Sequence, residues 1–289
     1  MRIATLTGRA VLVSNDGAGD AAVDIANASD GRFGPSPRSV FERWDDFTAW
    51  AADAALDGGD PYDPADLDAP IADPRQVFAI GLNYRDHADE ANLAYPENLV
   101  VFTKFASSLA GPNVTIELPS DKVDYETELV VVIAREVHEA DVEASRAAIA
   151  GFAVGQDISE RAVQTRGPAP QFSLGKSFPN FAPYGPAIVT LDELQNPDAL
   201  RITAIVEGPS AEGETSRTLQ DGTSADLIFA VDRIVSDLSQ IVTLYPGDLI
   251  FTGTPAGVGM ARGLFLKPGD VLTSTIEGVG TITNRFVAK

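Results

Sequence analysis

The chain has 289 residues, and its 21 Lys and Arg against 42 Asp and Glu leave a formal charge of −21. A field of that sign repels phosphate backbones and anionic lipid, which argues against nucleic acid and membrane surfaces as partners. There is no cysteine and there are only two histidines, His87 and His138, which removes disulfides, thiolate catalysis and Fe–S clusters and nearly excludes an imidazole-rich zinc site. The 44% hydrophobic content is that of a folded globular protein. The first residues, MRIATLTGRAVLVSNDG, hold no apolar run long enough for a signal peptide. No window approaches the roughly 20 apolar residues of a membrane span, so the cytoplasm is the expected location.

Residues 1–70 carry 13 acids and 5 bases and end in the loop-like tract DGGDPYDPADLDAP, from Asp57 to Pro70. They read as a small N-terminal domain and connector before a larger body over 71–289. Within them Phe41, Trp44, Phe47 and Ala51 fall at helical spacing, predicting one helix over Val40–Ala55. From Gln76 onward short apolar runs alternate with Gly and Pro turns, the mark of a β-rich body. The expected strands are Val77–Gly81, Leu99–Lys104, Glu128–Ala134, Ala187–Thr190, Ile202–Glu207, Leu249–Thr252, Val271–Ile276 and Thr281–Val287. Two helices are expected among them: Val142–Ala150 capped by Asp141, and Asp226–Val242 capped by Ser224. Gly175-Lys176-Ser177 ends like a phosphate loop, but Pro170 stands where such a loop needs glycine. The glycines of GTPAGVG, from Gly253 to Gly259, miss dinucleotide spacing and suit a tight turn after a strand.

The residues that could carry chemistry start at DYETELVVVI. In a strand Glu126 and Glu128 share a face with Val130 and Val132, while Leu129, Val131 and Ile133 occupy the other. Both faces are apolar beyond Glu128, which makes this an interior strand. Either the strand emerges into water at the two glutamates, or a divalent cation compensates them. Asp157 closes a second apolar stretch, Phe152–Gln156, and would complete a three-oxygen site. Oxygen ligands favour Mg²⁺, Mn²⁺ or Ca²⁺. His87 and Glu90, three residues apart, can meet on one helical turn as a base and its orienting carboxylate, or can be a plain surface pair. His138 reads as a surface loop residue. Lys104, Arg161 and Lys176 stand out amid so much acid; each could bind a substrate carboxylate or steady an enolate, or be a plain surface charge.

Together, GLNYRDHADE, VFTKFASSLAGP, DYETELVVVIAR, GQDISERAVQ, LGKSF, GDLIFTGTPAGVG and LKPGDVLTSTIEGVGTITN resemble the fumarylacetoacetate hydrolase family, in its order, across roughly residues 76–289. The resemblance implies an α+β, β-dominant fold: a rolled mixed β-sheet with flanking helices, a variable N-terminal domain and, usually, a homodimer. It implies that Glu126, Glu128 and Asp157 hold Mg²⁺ or Mn²⁺. His87 and Glu90 match its water-activating dyad on a lid, and Lys176 matches its charge-stabilising lysine. Arg161 and Gln164 match substrate contacts, Thr254 lies in the matching pocket-wall turn, and Lys104 matches a lysine near the pocket mouth. The chain departs from the family's wording at Gln156, Glu160, Ala162, Pro179 and Glu207–Pro209, none of them an implied metal ligand.

The expected function is a metal-dependent C–C bond hydrolase of an acylpyruvate, a 2,4-dioxo acid. Oxaloacetate decarboxylation and isomerisation of 2-hydroxyhepta-2,4-diene-1,7-dioate pass through the same enolate and use the same residues. A ligand-binding homologue without turnover is the alternative from another class, and the intact His87, Glu90 and Lys176 argue against it.

Overall fold

The computed structural model describes residues 1–14, 21–54 and 59–289. Among these residues the chain is a mixed, β-dominant α+β fold with a 12-stranded and a 5-stranded sheet and one 2-stranded ladder. The large sheet is organised around Thr127–Ile133, whose seven residues are all buried. Leu129, Val131 and Ile133 enter one core with helix residues Val231, Ile234, Val235 and Leu238. Val130 and Val132 enter a second core with Phe33, Phe41, Trp44 and Phe47. The alternation expected of an interior strand is thus satisfied on both faces.

Antiparallel to this strand runs Ile149–Gln156, with Thr127 opposite Gln156 and Glu128 opposite Gly155. On its other side lies Leu249–Phe251, antiparallel, with Val130 opposite Phe251. Val77–Gly81 pairs parallel to Leu249–Phe251. Consequently the start of the central strand and the ends of the other three meet at one rim of the sheet. Gly155 is needed there, since a Cβ would stand 2.5 Å from Val130 Cγ2.

The second sheet runs Arg217–Thr223, Arg201–Glu207, Val271–Ile276, Gly280–Ala288 and Thr115–Leu118. It packs across the strands Thr127–Ile133, Ile149–Gln156 and Ala182–Val189. Both Pro-Gly-Asp turns close in the same way: Asp248 accepts from Tyr245 N–H (2.9 Å) and Asp270 from Lys267 N–H (2.6 Å).

Several elements differ from the expectation. Strands Arg2–Leu6, Arg9–Ser14 and Ala21–Asp24 extend the large sheet through Ala182–Val189, so the N-terminal segment shares a sheet and a core with the body. The helix expected over Val40–Ala55 is two pieces, Pro37–Phe41 and Trp44–Asp53; Ala55 and Asp57 lie outside the described residues. Val142–Ala147 stops short of Ala150 because Ile149 begins a strand, although Asp141 caps it as expected, accepting from Ala144 N–H at 2.8 Å. The long helix is Val231–Ser239, and Ser224 does not cap it. Its hydroxyl instead accepts from Leu200 N–H at 2.8 Å, a tertiary bond across 24 residues. Three further strands were not expected: Thr115–Leu118 alternates but over four residues only, Arg217–Thr223 has no such pattern, and Ile149–Gln156 begins inside the stretch read as a helix.

Candidate functional site

Because antiparallel pairing sets Thr127 against Gln156, the residues just outside that pair, Glu126 and Asp157, are neighbours. Asp157 N–H donates to the Glu126 carbonyl at 2.9 Å. Glu128, two residues along, keeps the same face. One carboxylate oxygen from each of Glu126, Glu128 and Asp157 lies within 4.8 Å of the others, and all three residues are buried. So much negative charge out of water requires compensation, and most of it is local. Lys176 Nζ donates to Glu126 Oε2 (2.7 Å), Asp157 Oδ2 (2.6 Å) and Ser159 Oγ (2.8 Å). Arg161 reaches Glu126 Oε1 (2.6 Å) and Asp124 Oδ2 (2.7 Å), and donates to Gln164 Oε1 at 2.8 Å. Lys104 donates to Asp157 and to the Lys176 carbonyl.

Four carboxylates, Asp124, Glu126, Glu128 and Asp157, therefore face three cations, Lys104, Arg161 and Lys176. Glu128 is the one without an ion pair among the described residues; its partner is Gly253 N–H, at 2.8 Å. Burial first, then Asp157 and Glu126, push its carboxyl well above the carboxylate range. Burial acts the same way on Glu126, but Lys176 and Arg161 outweigh it and hold that carboxyl below its ordinary value. For Lys176, burial disfavours the charge and Asp157 and Glu126 more than restore it, so its pKa is raised. A hard, oxygen-only donor set carrying one surplus negative charge fits a hard divalent cation.

Glu126 and Glu128 of the cluster line a cavity of about 620 Å³, together with His87, Glu90, Arg161, Gln164, Lys176 and Thr254. His87 and Glu90 arrive on helix Arg85–Glu90, which follows Val77–Gly81. The connecting turn is stapled by buried Asn83, which donates to the Thr252 carbonyl (2.8 Å) and accepts from Phe229 N–H (2.8 Å). Thr254 sits in the expected tight turn: Gly253 and Gly257 have φ of 100° and 111°, a conformation that suits glycine. Its hydroxyl donates to the Thr127 carbonyl at 2.9 Å.

Two sequence-predicted residues are placed otherwise than expected. Glu90 is not hydrogen-bonded to His87; its carboxylate accepts from Gly257 N–H (2.7 Å) and Arg262 Nε (3.1 Å). A backbone amide and a guanidinium together satisfy it better than an imidazole one turn away. His87 Nδ1 is buried and has no hydrogen-bond partner among the described residues. Lys104 is not at the mouth: its side chain is 0% exposed, behind Asp157. Burial pushes its ammonium pKa down, and the Asp157 carboxylate is what opposes this.

Three supporting residues went unread in the sequence. Gln156 accepts from Glu126 N–H (3.0 Å) and donates to Thr127 Oγ1 (2.6 Å) and Ser274 Oγ (2.8 Å). Gln220 accepts from Thr127 N–H (3.0 Å) and donates to Thr254 Oγ1 (2.7 Å). Asp124 ties Arg161 to the backbone N–H groups of Gly259 (2.7 Å) and Met260 (2.8 Å). The sequence signals for them were Asp124's place beside Glu126 and Glu128 and Gln156's departure from the family's wording.

Comparison with known proteins gives a consistent result. Residues 76–287 match the fumarylacetoacetate (FAA) hydrolase C-terminal family. The human mitochondrial oxaloacetate tautomerase FAHD2A is 40% identical over 223 residues, which is 76% of this chain and 68% of the relative. A fumarylacetoacetate hydrolase domain-containing protein 2 homolog of Dictyostelium discoideum is 40% identical over 237 residues, 78% of this chain and 75% of the relative. Among solved structures, a Mycobacterium smegmatis protein described as an HpcE candidate is 47% identical with a TM-score of 0.91, covering 100% of this chain and 99% of that one. The fumarylacetoacetate hydrolase of Exiguobacterium antarcticum is 31% identical with a TM-score of 0.83, covering 100% of both chains. No helix among the described residues is long and apolar enough to cross a membrane.

Proposed function

The chain belongs to the fumarylacetoacetate hydrolase family, and from that premise we propose that it interconverts the keto and enol forms of a 2-oxo acid whose C3 methylene is flanked by a second carbonyl. Oxaloacetate is the reference substrate, a choice supported by the names of the relatives near 40% identity. Glu126, Glu128 and Asp157 would hold Mg²⁺ or Mn²⁺, which when bound polarises the 2-oxo group as a Lewis acid. Arg161 and Gln164 orient the substrate carboxylate from the helix Arg161–Gln164. His87 takes the C3 proton and returns it to carbon or to the enol oxygen. Lys176, held charged by the carboxylates around it, stabilises the negative charge that develops on that oxygen.

The observation that carries this reading is His87 itself. It lines the cavity above the carboxylate cluster with a free Nδ1, while Glu90 is engaged by Gly257 and Arg262 instead of orienting it. An imidazole that Glu90 does not orient, set in the wall of the cavity, suits a proton shuttle acting on substrate. Hydrolysis is the second reading, supported by Glu90 lining the same cavity one turn away and by the Exiguobacterium relative. We also propose a homodimer, for which the exposed Val101 on the terminal strand of the large sheet is support. We propose the cytoplasm as its location; the curated relatives include mitochondrial proteins.

The test follows the enol absorbance of oxaloacetate and, in parallel, pyruvate release from oxaloacetate and from acetylpyruvate, with Mg²⁺, Mn²⁺ or EDTA. Keto–enol exchange is expected to outpace pyruvate release, to vanish in EDTA and to fall roughly 10²–10⁴-fold in His87→Ala. Pyruvate release from acetylpyruvate without accelerated exchange would establish hydrolysis instead. No turnover of any substrate would withdraw the catalytic reading.

A further inference from the structure

Glu90 ends helix Arg85–Glu90 with both carboxylate oxygens engaged, Oε2 by Gly257 N–H at 2.7 Å and Oε1 by Arg262 Nε at 3.1 Å. Arg262 is held in turn, since its Nη1 donates to the Leu219 carbonyl at 3.0 Å. That bond anchors the guanidinium to strand Arg217–Thr223 of the second sheet. Gly257 suits its part: its φ is 111°, and a Cβ there would stand 2.2 Å from the same Leu219 carbonyl oxygen. Three segments far apart in sequence thus converge on one carboxylate. His87 and Glu90 both line the cavity, whereas Arg262 is not among the described residues that line it. Any effect of Arg262 on the reaction therefore passes through Glu90.

Spacing of three residues puts Glu90 and His87 on one side of their helix, so the carboxylate has two destinations, the guanidinium or the imidazole. The pair with Arg262 is weak: its side chains are 39% and 21% exposed, and ion pairs of that kind shift an equilibrium about fivefold at most. We propose that Arg262 is a positioning residue that parks Glu90 away from His87 and so sets the partition between keto–enol exchange and C–C hydrolysis. This rests on the proposed 2-oxo-acid chemistry and names what controls its outcome. With Glu90 parked, His87 moves a proton between C3 and the enol oxygen, and no water is activated. With Oε1 released, Glu90 stays anchored through Oε2 on Gly257 and orients His87 at Nδ1. The imidazole then takes a proton from water as the water oxygen bonds to the distal carbonyl carbon of an acylpyruvate. The bond from that carbon to C3 breaks, and its electron pair stays on C3 as the pyruvate enolate. The enolate takes up the proton to give pyruvate, and the acyl group leaves as the carboxylic acid.

The test compares Arg262→Met, which removes the charge, with Arg262→Lys, which keeps it. Ring ¹⁵N spectra in Mg²⁺ are simple because the chain has two histidines, and exposed His138 serves as the reference. Arg262→Met should give His87 Nδ1 a slowly exchanging, hydrogen-bonded proton, absent from the unaltered protein and from Arg262→Lys. Adding Glu90→Ala to Arg262→Met should remove it again. With acetylpyruvate, the ratio of pyruvate release to keto–enol exchange should rise about two- to fivefold in Arg262→Met, through kcat with KM unchanged. Raising the salt should raise that ratio in the unaltered protein and leave Arg262→Met unmoved, because screening weakens an exposed pair. The salt series needs no variant, so it stands even where Arg262→Met fails to fold. An unchanged His87 spectrum in Arg262→Met, or a ratio indifferent to salt in the unaltered protein, overturns the proposal. A His87 proton that appears on release of Glu90, in proteins that all lack keto–enol exchange, would sustain the parking role and sink the proposed reaction.

Discussion

Replacing Glu128 by Gln separates what the carboxylate cluster does for metal from what it does for the fold. Glu128 and its two neighbours have oxygens within 4.8 Å of one another. At that distance two unit charges repel by at least about 3.5 kcal/mol at an effective dielectric near 20, and Glu128 faces two such neighbours. Unlike Glu126 and Asp157 it has no cation partner among the described residues, where its carboxylate accepts from Gly253 N–H. Burial, Asp157 and Glu126 accordingly favour its protonated form in metal-free protein. Gln has the same shape, keeps an oxygen for Gly253 and carries no charge. Metal-free Glu128→Gln should therefore match the unaltered protein to within about 1 kcal/mol, well below the usual cost of disturbing a buried polar site.

Metal reverses the comparison. An ion that binds only the folded state adds about 2.7 kcal/mol at a free concentration 100 times its dissociation constant. The unaltered protein should gain that much, and Glu128→Gln almost none, because an amide is a poor replacement for one of three anionic ligands. Urea unfolding of both proteins in EDTA and in Mn²⁺ measures all four stabilities. A loss beyond about 2 kcal/mol in EDTA, or an equal Mn²⁺ gain in both proteins, would refute the view that Glu128 is the uncompensated member of the cluster.

Lys104→Met should behave in the opposite sense: removing one partner of a fully buried pair costs about 3–5 kcal/mol in EDTA, and Mn²⁺ should recover part of it by taking over the charge of Asp157. The same unfolding curves check this, and an identical loss in both conditions would mean that Lys104 serves packing alone. Gln156→Leu should cost about 1–3 kcal/mol for each buried group left without a partner, Glu126 N–H first among them. It should also weaken Mn²⁺ binding, read by calorimetry, since the backbone that aims Glu126 is no longer held; unchanged affinity would make Gln156 a residue of the fold only.

What the sequence made legible was local and periodic. The unbroken apolar run from Leu129 to Ile133 identified the interior strand and its buried faces, and the period of two put Glu126 and Glu128 on one side. Asp157 followed because it ends an apolar run, and antiparallel pairing then brings it to Glu126. The N-terminal strands were missed because they are short and lie in an acid-rich segment whose loop-like tract set it apart, whereas the sheet joins that segment to the body across the change in composition near residue 70. Helix Asp226–Val242 was over-read at both ends, since apolar periodicity continues into residues whose backbone bonds elsewhere.

The harder residues share one physical cause, competition from partners far away in sequence. Spacing makes His87 and Glu90 a natural pair, yet Glu90 takes its bonds from Gly257 and Arg262, 167 and 172 residues away. A carboxylate near a free backbone N–H and a guanidinium gains charge-assisted bonds from both, whereas its bond to an imidazole competes with neutrality of the ring. Gln156 and Gln220 are ordinary polar residues until the central strand's start leaves Glu126 and Thr127 N–H groups in need of acceptors. Lys104 is the extreme case. A lone lysine after a strand reads as surface charge, because burying an ammonium is prohibitive without ready partners. Here Asp157 and the Lys176 carbonyl supply them, and they come from elements 53 and 72 residues on. The identities of the ligands are thus written in the local pattern, while the forces that aim and neutralise them are written in the topology.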